Sequence, residues 1–281
     1  MRIDLHAHST ASDGTDAPQD VVRAAATAGL DVVALTDHDS TEGWDAAGAV
    51  ALELGVVLVP GAEISCEAGG ISVHLLSYLH DPAHPGLAAE LARTRSDRLG
   101  RARRMVQRIS ADHDLTWADV ELHVPPGATV GRPHIADAMV AKGLVRSRDE
   151  AFAEVLHSRG PYHVRHYAPP ALEAVRLVRE AGGVPVMAHP LAGRRGRVVA
   201  DDVVASLAAA GLAGLEADHR DHLPAERDHL RALAAELGLL ATGSSDYHGT
   251  GKPNLIGENL TDPEVFEAIE AAASGTAVVR P

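Results

Sequence analysis

Six short segments of this 281-residue chain place side chains that bind protons or cations on or just after apolar runs. They are Asp4-Leu5-His6-Ala7-His8, Thr36-Asp37-His38-Asp39, Gly61-Ala62-Glu63, His74 within the run 71–79, Ala188-His189-Pro190 and Ser245-Asp246-Tyr247-His248. Side chains alternate along an extended chain, so His6 and His8 face the same side and can grip one ion together. A His-x-His pair is a weak signal alone. Imidazoles and carboxylates gathered at buried strand ends are costly unless something pairs them, and a cluster of divalent cations is the natural partner. The chemistry such a cluster performs is hydrolysis: it lowers the pKa of a shared water and neutralises charge on a phosphoryl group.

Seven apolar runs must position these groups: residues 3–5, 32–35, 56–59, 71–79, 184–188, 214–216 and 239–241 read as strands. Most are separated by Ala-rich helical stretches such as 18–28 and 45–54, with Pro18 as a start signal and Gly29 as a stop. Strand followed by helix, repeated, predicts a mostly parallel α/β sheet, closed or doubly wound. Nearly every strand delivers its His, Asp or Glu at the C-terminal end, the end at which barrel enzymes gather their catalytic groups. Between about residues 82 and 169 the rhythm stops. The expected organisation is a barrel built from residues 1–82 and 169–281, with residues 83–168 as a helical insertion and substrate-binding cap over its mouth.

Composition narrows the function classes. Aromatics make up 3% of the chain, so the core is expected to be Ala, Val and Leu, and single-strand nucleic-acid binding by stacking is disfavoured. A formal net charge of −14 opposes nonspecific attraction to duplex DNA, although bound cations would reverse the sign locally. Cys66 is the only cysteine, which excludes an intrachain disulfide and Cys-rich metal sites and leaves a small core residue. No apolar run reaches membrane-spanning length and the chain starts without a hydrophobic leader, so no membrane partner and a cytoplasmic location are expected.

The motifs closely resemble those of the polymerase and histidinol phosphatase (PHP) family of metal-dependent phosphoesterases. The matching pieces are His6-Ala7-His8-Ser9 with Ser12-Asp13-Gly14, Thr36-Asp37-His38-Asp39, Gly61-Ala62-Glu63-Ile64, Val73-His74-Leu75-Leu76, Ala188-His189-Pro190 and Ser245-Asp246-Tyr247-His248-Gly249. The resemblance spans essentially the whole chain. It implies a distorted (β/α)7 barrel and two or three divalent ions. His6, His8, Glu63 and Asp246 would hold the first; Glu63 would bridge to a second on His74 and His189; Asp13, His38 and His248 would hold a third. Imidazole with carboxylate suits Mn2+, Zn2+ or Fe2+ rather than Ca2+, and the resemblance puts Mn2+ first.

Within the insertion, Gly131-Arg132-Pro133-His134-Ile135-Ala136 resembles a motif of the family branch that acts on nucleotides and short RNA. Arg132 can fork two donors onto phosphate, and His134 can add a contact or a proton, both ahead of a helix N-terminus that attracts anions. The arginines from Arg93 to Arg108 read as a solvated helix face, and Arg165, Arg194 and Arg195 as further cations near motif segments. His80, His84, His113, His123, His157, His163, His166, His219, His222 and His229 are assigned to surface or packing.

The expected reaction is hydrolysis of a phosphomonoester by hydroxide bridging the metals, with Arg132 and His134 orienting the phosphate and His134, Asp37 or water protonating the leaving group. The branch resemblance implies nucleoside 3′,5′-bisphosphates or the 5′ ends of short RNA as substrates. A histidinol-phosphate phosphatase would use the same metal residues. Amide hydrolysis on a similar barrel lacks the set Asp13, His38 and His248, and a noncatalytic accessory domain fits poorly with a full complement of ligands.

Overall fold

The computed structural model describes residues 1–165 and 167–281. Seven strands form one sheet in chain order: β1 (Ile3–Asp4), β2 (Val32–Leu35), β3 (Val57–Ala68), β4 (Ile71–Tyr78), β5 (Val184–Ala188), β6 (Gly214–Asp218) and β7 (Leu240–Gly243). β1 to β3 pair in parallel, as do β5 to β7, whereas β4 runs antiparallel to both of its neighbours. The sheet curls into a nearly closed barrel whose two edges meet just beyond the strands. Ala7 and Tyr247 bridge in parallel, and the His8 N–H donates to the Tyr247 carbonyl at 2.8 Å. Thr261 ties the other end, donating from its N–H to the Ile3 carbonyl at 2.9 Å and from its hydroxyl to the Gly243 carbonyl at 2.7 Å.

Helices α1 (Pro18–Thr27) and α2 (Trp44–Leu54) follow β1 and β2; α3 (Pro85–Ile109), α4 (Trp117–Glu121), α5 (Arg132–Ala141) and α6 (Arg148–Glu154) lie between β4 and β5; α7 (Ala171–Glu180), α8 (Asp201–Ala209), α9 (Pro224–Leu237) and α10 (Pro263–Ala272) accompany the remaining strands. The period-2 alternation of β2 divides its residues between two layers. Val32 and Ala34 join Ile3, Leu5, Val59, Leu76 and Val186, while Val33 and Leu35 pack against Val21, Val22 and Ala25 of α1 and Ala47 and Ala51 of α2. Small aliphatic side chains let helices sit close to the sheet. Tyr78 is an aromatic exception, and its hydroxyl is satisfied by the Leu5 carbonyl at 2.9 Å.

The third and fourth strands depart from the sequence expectation. β3 does not stop at Glu63 but continues to Ala68 and turns into β4 through Gly69-Gly70, both in the left-handed region with φ of 58° and 74°. Two glycines at positive φ are what a two-residue hairpin matching the twist of its strands requires. Glu63 is therefore a mid-strand residue. Because β4 is antiparallel, His74 reaches the same face from the first half of its strand rather than from a C-terminal end.

Residues 85–154 hold α3 to α6, which together with the segment that follows build an apolar cluster around Met105, Ile109, Val120, Ile135, Met139 and Leu156. Side-chain and backbone links fasten this segment to the loops at the mouth. Arg95 donates to the Asp39 carbonyl at 2.7 Å, Arg98 pairs with Asp39 at 2.8 Å, and the Thr129 N–H donates to the Ala11 carbonyl at 3.0 Å. No helix among the described residues is long and apolar enough to cross a membrane.

Candidate metal centre

The loop after β1, the loop after β2, the middle of β3, the first half of β4 and the loops after β5 and β7 converge at one mouth of the barrel. They bring His6, His8, Asp13, His38, Glu63, His74, His189, Asp246 and His248 together. All are buried except His74, which is partly exposed. One set of four is His6 Nε2, His8 Nε2, Glu63 Oε2 and Asp246 Oδ1. The two ring nitrogens face each other at 3.0 Å; Glu63 lies 3.4 and 3.1 Å from them, and Asp246 3.4 Å from each. Four ligand atoms around an ion with bonds of about 2.1 Å stand about 3.0–3.4 Å apart at the edges of an octahedron or tetrahedron, so the observed spacing fits a cation shell.

Glu63 Oε1 faces the other way, 2.7 Å from His74 Nδ1 and 3.0 Å from His189 Nε2. Asp13 collects His8, His38 and His248 at 3.8, 3.8 and 3.3 Å. His38 also turns Nδ1 to within 3.2 Å of Glu63, so it touches two sets rather than one. His38 Nδ1 and His248 Nε2 are buried and make no hydrogen bond among the described residues, although carboxylate oxygens lie nearby. Orphaned buried ring nitrogens are rare without an ion or water to satisfy them.

The electrostatics agree with a cation site. Burial works to lower the His8 pKa, but hydrogen bonds to Asp246 and Glu63 outweigh it and hold it at about 9. His6 is likewise raised despite burial, by Glu216, Glu63 and Asp246. Protons fill the role of counterions where the field is strongly negative. His248 goes the other way, to about 4, because burial and then the Lys252 charge disfavour its cation.

Comparison with known proteins decides the family. A model described as "PHP domain" matches residues 4–112. The 3′,5′-nucleoside bisphosphate phosphatase of Chromobacterium violaceum is 34% identical over 257 residues, covering 89% of this chain and 88% of its own. This chain belongs to the PHP family. It is a metal-dependent phosphoesterase, a hydrolase of phosphate ester bonds. Two further relatives are a phosphoribosyl 1,2-cyclic phosphate 1,2-diphosphodiesterase of Eggerthella lenta, 33% identical over 89% of this chain and 95% of its own, and a 5′-3′ exoribonuclease of Haemophilus influenzae, 30% identical over 92% and 94%. The structure of a Bifidobacterium adolescentis protein, provisionally described as a metal-dependent phosphoesterase, superposes with a TM-score of 0.95 at 41% identity, over 97% of this chain and 96% of that one.

Around this PHP cluster sits a layer of groups that orient it, several of which sequence reasoning missed. Glu216 is fully buried in β6 and accepts from His6 Nδ1 at 2.9 Å, from the Ser244 hydroxyl and from the His189 N–H at 2.7 Å. Fixing the proton on His6 Nδ1 leaves the Nε2 lone pair facing the cluster. His219, expected at the surface or in packing, is buried, with Nε2 3.6 Å from Asp246 Oδ2. Its Nδ1 accepts from the Asp221 N–H at 3.0 Å, which puts the ring proton on Nε2. His166 lies outside the described residues.

Asp37, a candidate proton donor by sequence, has both oxygens engaged. Oδ1 accepts from the Ser9 N–H at 2.8 Å and the Ser12 hydroxyl at 2.6 Å, and Oδ2 from the Ser9 hydroxyl at 2.7 Å. It holds the loop that carries His8 and Asp13. The arginine helix is a correction: Arg98 and Arg101 are buried rather than solvated. Arg98 reaches Asp39 and the Ser65 hydroxyl, and Arg101 donates to the Val164 carbonyl at 2.8 Å.

His134 and Arg132 stand at the start of α5. His134 Nδ1 accepts from the Gly131 N–H at 3.1 Å, so its proton resides on Nε2, and burial lowers its pKa despite the offsetting charge of Asp13. Arg132 Nη1 donates to the Leu156 carbonyl at 3.0 Å and the guanidinium lies 5.2 Å from the Phe152 ring centre. Those contacts stay within the segment between β4 and β5, and Arg98 and Arg101 are its charged neighbours. Arg165 and Arg194 are exposed.

Proposed function

We propose that this enzyme hydrolyses phosphomonoesters of nucleotides, taking nucleoside 3′,5′-bisphosphates or the 5′ ends of short RNA, with two or three divalent ions and Mn2+ as the first choice. The observation that carries the metal reading is the 3.0–3.4 Å spacing of His6 Nε2, His8 Nε2, Glu63 Oε2 and Asp246 Oδ1. The nucleotide reading is supported by the activities named for the Chromobacterium and Haemophilus relatives and by Arg132 and His134 at a helix N-terminus.

His6, His8, Glu63 and Asp246 are assigned to the first ion; Glu63, His74 and His189 to a second; Asp13, His38 and His248 to a third. Bound divalent ions supply a nucleophile from water at neutral pH and neutralise phosphoryl charge. The chain's own groups do the rest. Glu216 sets the His6 tautomer. Asp37 holds the His8–Asp13 loop through Ser9 and Ser12, a positioning task in place of proton donation. Neutral His134 donates from Nε2 to a phosphate oxygen, and Arg132, which makes one hydrogen bond among the described residues, to the Leu156 carbonyl, keeps further donors for a second anionic group. Residues 83–168 act as the cap that supplies both.

The test is a panel of phosphorylated compounds assayed with Mn2+: a nucleoside 3′,5′-bisphosphate, a 5′-phosphorylated oligoribonucleotide, a phosphoribosyl cyclic phosphate and histidinol phosphate. The reading expects one of the first two to give the highest kcat/KM. Preference for either of the others overturns the nucleotide assignment and leaves the phosphoesterase chemistry standing.

A further inference from the structure

Lys252 belongs to no ligand set, and no sequence motif singles it out. Of the 25 lysines and arginines in the chain only Lys142 and Lys252 are lysines. Lys142 sits beside Asp114 and Asp119 in the insertion. Lys252 instead places Nζ 3.0 Å from Asp246 Oδ2, while Asp246 Oδ1 faces His6, His8 and His248 at 3.4, 3.4 and 3.5 Å. One carboxylate thus couples the ammonium to the ligand cluster.

The loop that carries Lys252 is pinned from two directions. Gly249 takes a left-handed turn with φ of 64°, the Thr250 N–H donates to Thr15 Oγ1 at 2.8 Å, and the Gly251 N–H donates to the His248 carbonyl at 3.2 Å. A side chain at Gly251 would collide with the Arg148 guanidinium. Arg148 comes from α6, is clamped by Asp137 at 2.5 and 2.6 Å, and donates to the Asp13 carbonyl at 3.4 Å. Thr15 bonds this backbone from the barrel side, and the Arg148 guanidinium packs close to it at Gly251. An ordinary surface ion pair contributes little to stability and needs no such scaffold.

Asp246 is buried, but Lys252 keeps 31% of its side chain exposed. Its ammonium has three donors and makes one hydrogen bond among the described residues. A compact charge with rotatable donors can stay on Asp246 and still turn a proton outward, whereas a planar fork would be engaged edge-on by the same carboxylate.

We propose that Lys252 is a substrate-binding residue whose ammonium, oriented by Asp246, donates to a non-bridging oxygen of the phosphomonoester dianion at the cluster. The proposal rests on the phosphoesterase reading and is indifferent to which phosphomonoester is natural.

The experiment uses the full metal-loaded chain with Lys252→Met, which keeps length and removes charge, and Lys252→Arg. Three quantities are read: metal content after gel filtration, inorganic phosphate binding by calorimetry, and KM for both p-nitrophenyl phosphate and a nucleoside 3′,5′-bisphosphate. Expected for Lys252→Met are unchanged metal content and phosphate affinity weakened about tenfold or more, with the same factor in KM on both substrates. Lys252→Arg should recover part of the phosphate affinity. Unchanged phosphate affinity overturns the proposal, and so does loss of metal, which would make Lys252 a support for the ligands. Should the wild type reject the nucleotide but hydrolyse p-nitrophenyl phosphate, the nucleotide reading fails while phosphate binding still decides the role of Lys252.

Discussion

Replacing Glu216 by glutamine keeps the shape of the side chain and removes its charge and one acceptor. In the native arrangement Oε1 accepts from His6 Nδ1 and the Ser244 hydroxyl, and Oε2 from the His189 N–H. An amide can serve only one side. With its NH2 toward His6, the ring must move its proton to Nε2, and the lone pair aimed at Glu63 and Asp246 is lost. With its NH2 toward His189, two buried donors face each other. Either way a buried group is left unsatisfied at a cost of about 1–3 kcal/mol. At about 1.4 kcal/mol per tenfold, that corresponds to roughly five- to hundredfold in ion affinity, close to the roughly ten- to hundredfold seen when a carboxylate behind a ligating histidine is removed. The assay is titration of chelator-stripped protein with Mn2+, followed by competition with a chromogenic chelator and by turnover of p-nitrophenyl phosphate. Glu216→Gln should shift the binding midpoint by that factor and recover most of kcat in excess metal. Unchanged affinity, or activity lost at full metal occupancy, would refute the assignment of Glu216 as the group that orients His6.

Three further outcomes are expected. Asp37→Asn should lower activity and metal retention through the His8–Asp13 loop yet leave the pKa values of the pH–rate profile in place; loss of one limb would restore Asp37 as a proton donor. Arg132→Ala should raise KM for a nucleoside 3′,5′-bisphosphate about ten- to hundredfold, with metal content unchanged and Arg132→Lys only partly restorative; an unaffected KM removes Arg132 from the site. With its folded pKa raised to about 9, His8 stabilises the ion-free protein below its ordinary value of 6.5, and that contribution disappears as pH rises through 9. An ion must displace this proton, so metal affinity should climb between pH 6.5 and 9 and metal uptake at pH 7 should release protons, measurable by calorimetry in buffers of different ionisation enthalpy; a pH-independent affinity contradicts it.

The segments that build the His/Asp/Glu cluster are legible because each combines an apolar strand with a residue type that strands avoid. Glu216 shares that property, but it stands in β6 without a histidine partner in its motif. Its signal was the alternation that sends Leu215 and Ala217 into the outer core and leaves Glu216 on the inner face. Arg98 and Arg101 were read as solvated because charge outweighed position. They fall in the stripe Leu87, Leu91, Thr94, Arg98, Arg101, Met105, whose spacing of four and three residues marks the buried face of α3. The length of β3 was missed because Ser65 and Glu67 interrupt its apolar pattern, while Gly69-Gly70 carried the hairpin signal. His219 carried the same cue as the cluster segments, standing just past the end of β6, and its place beside Asp246 follows from the parallel pairing of β6 with β7.

The account stands on ions held between His6, His8, Glu63 and Asp246. The most direct measurement is elemental analysis of purified wild type and His6→Ala, paired with turnover before and after chelation. Expected are two or three bound divalent transition metals per wild-type chain, loss of turnover on chelation with recovery on adding Mn2+, and depleted metal with no recovery in a folded His6→Ala. Chelated wild type that still turns over, or His6→Ala that retains the metal content and rate of the wild type, would contradict it.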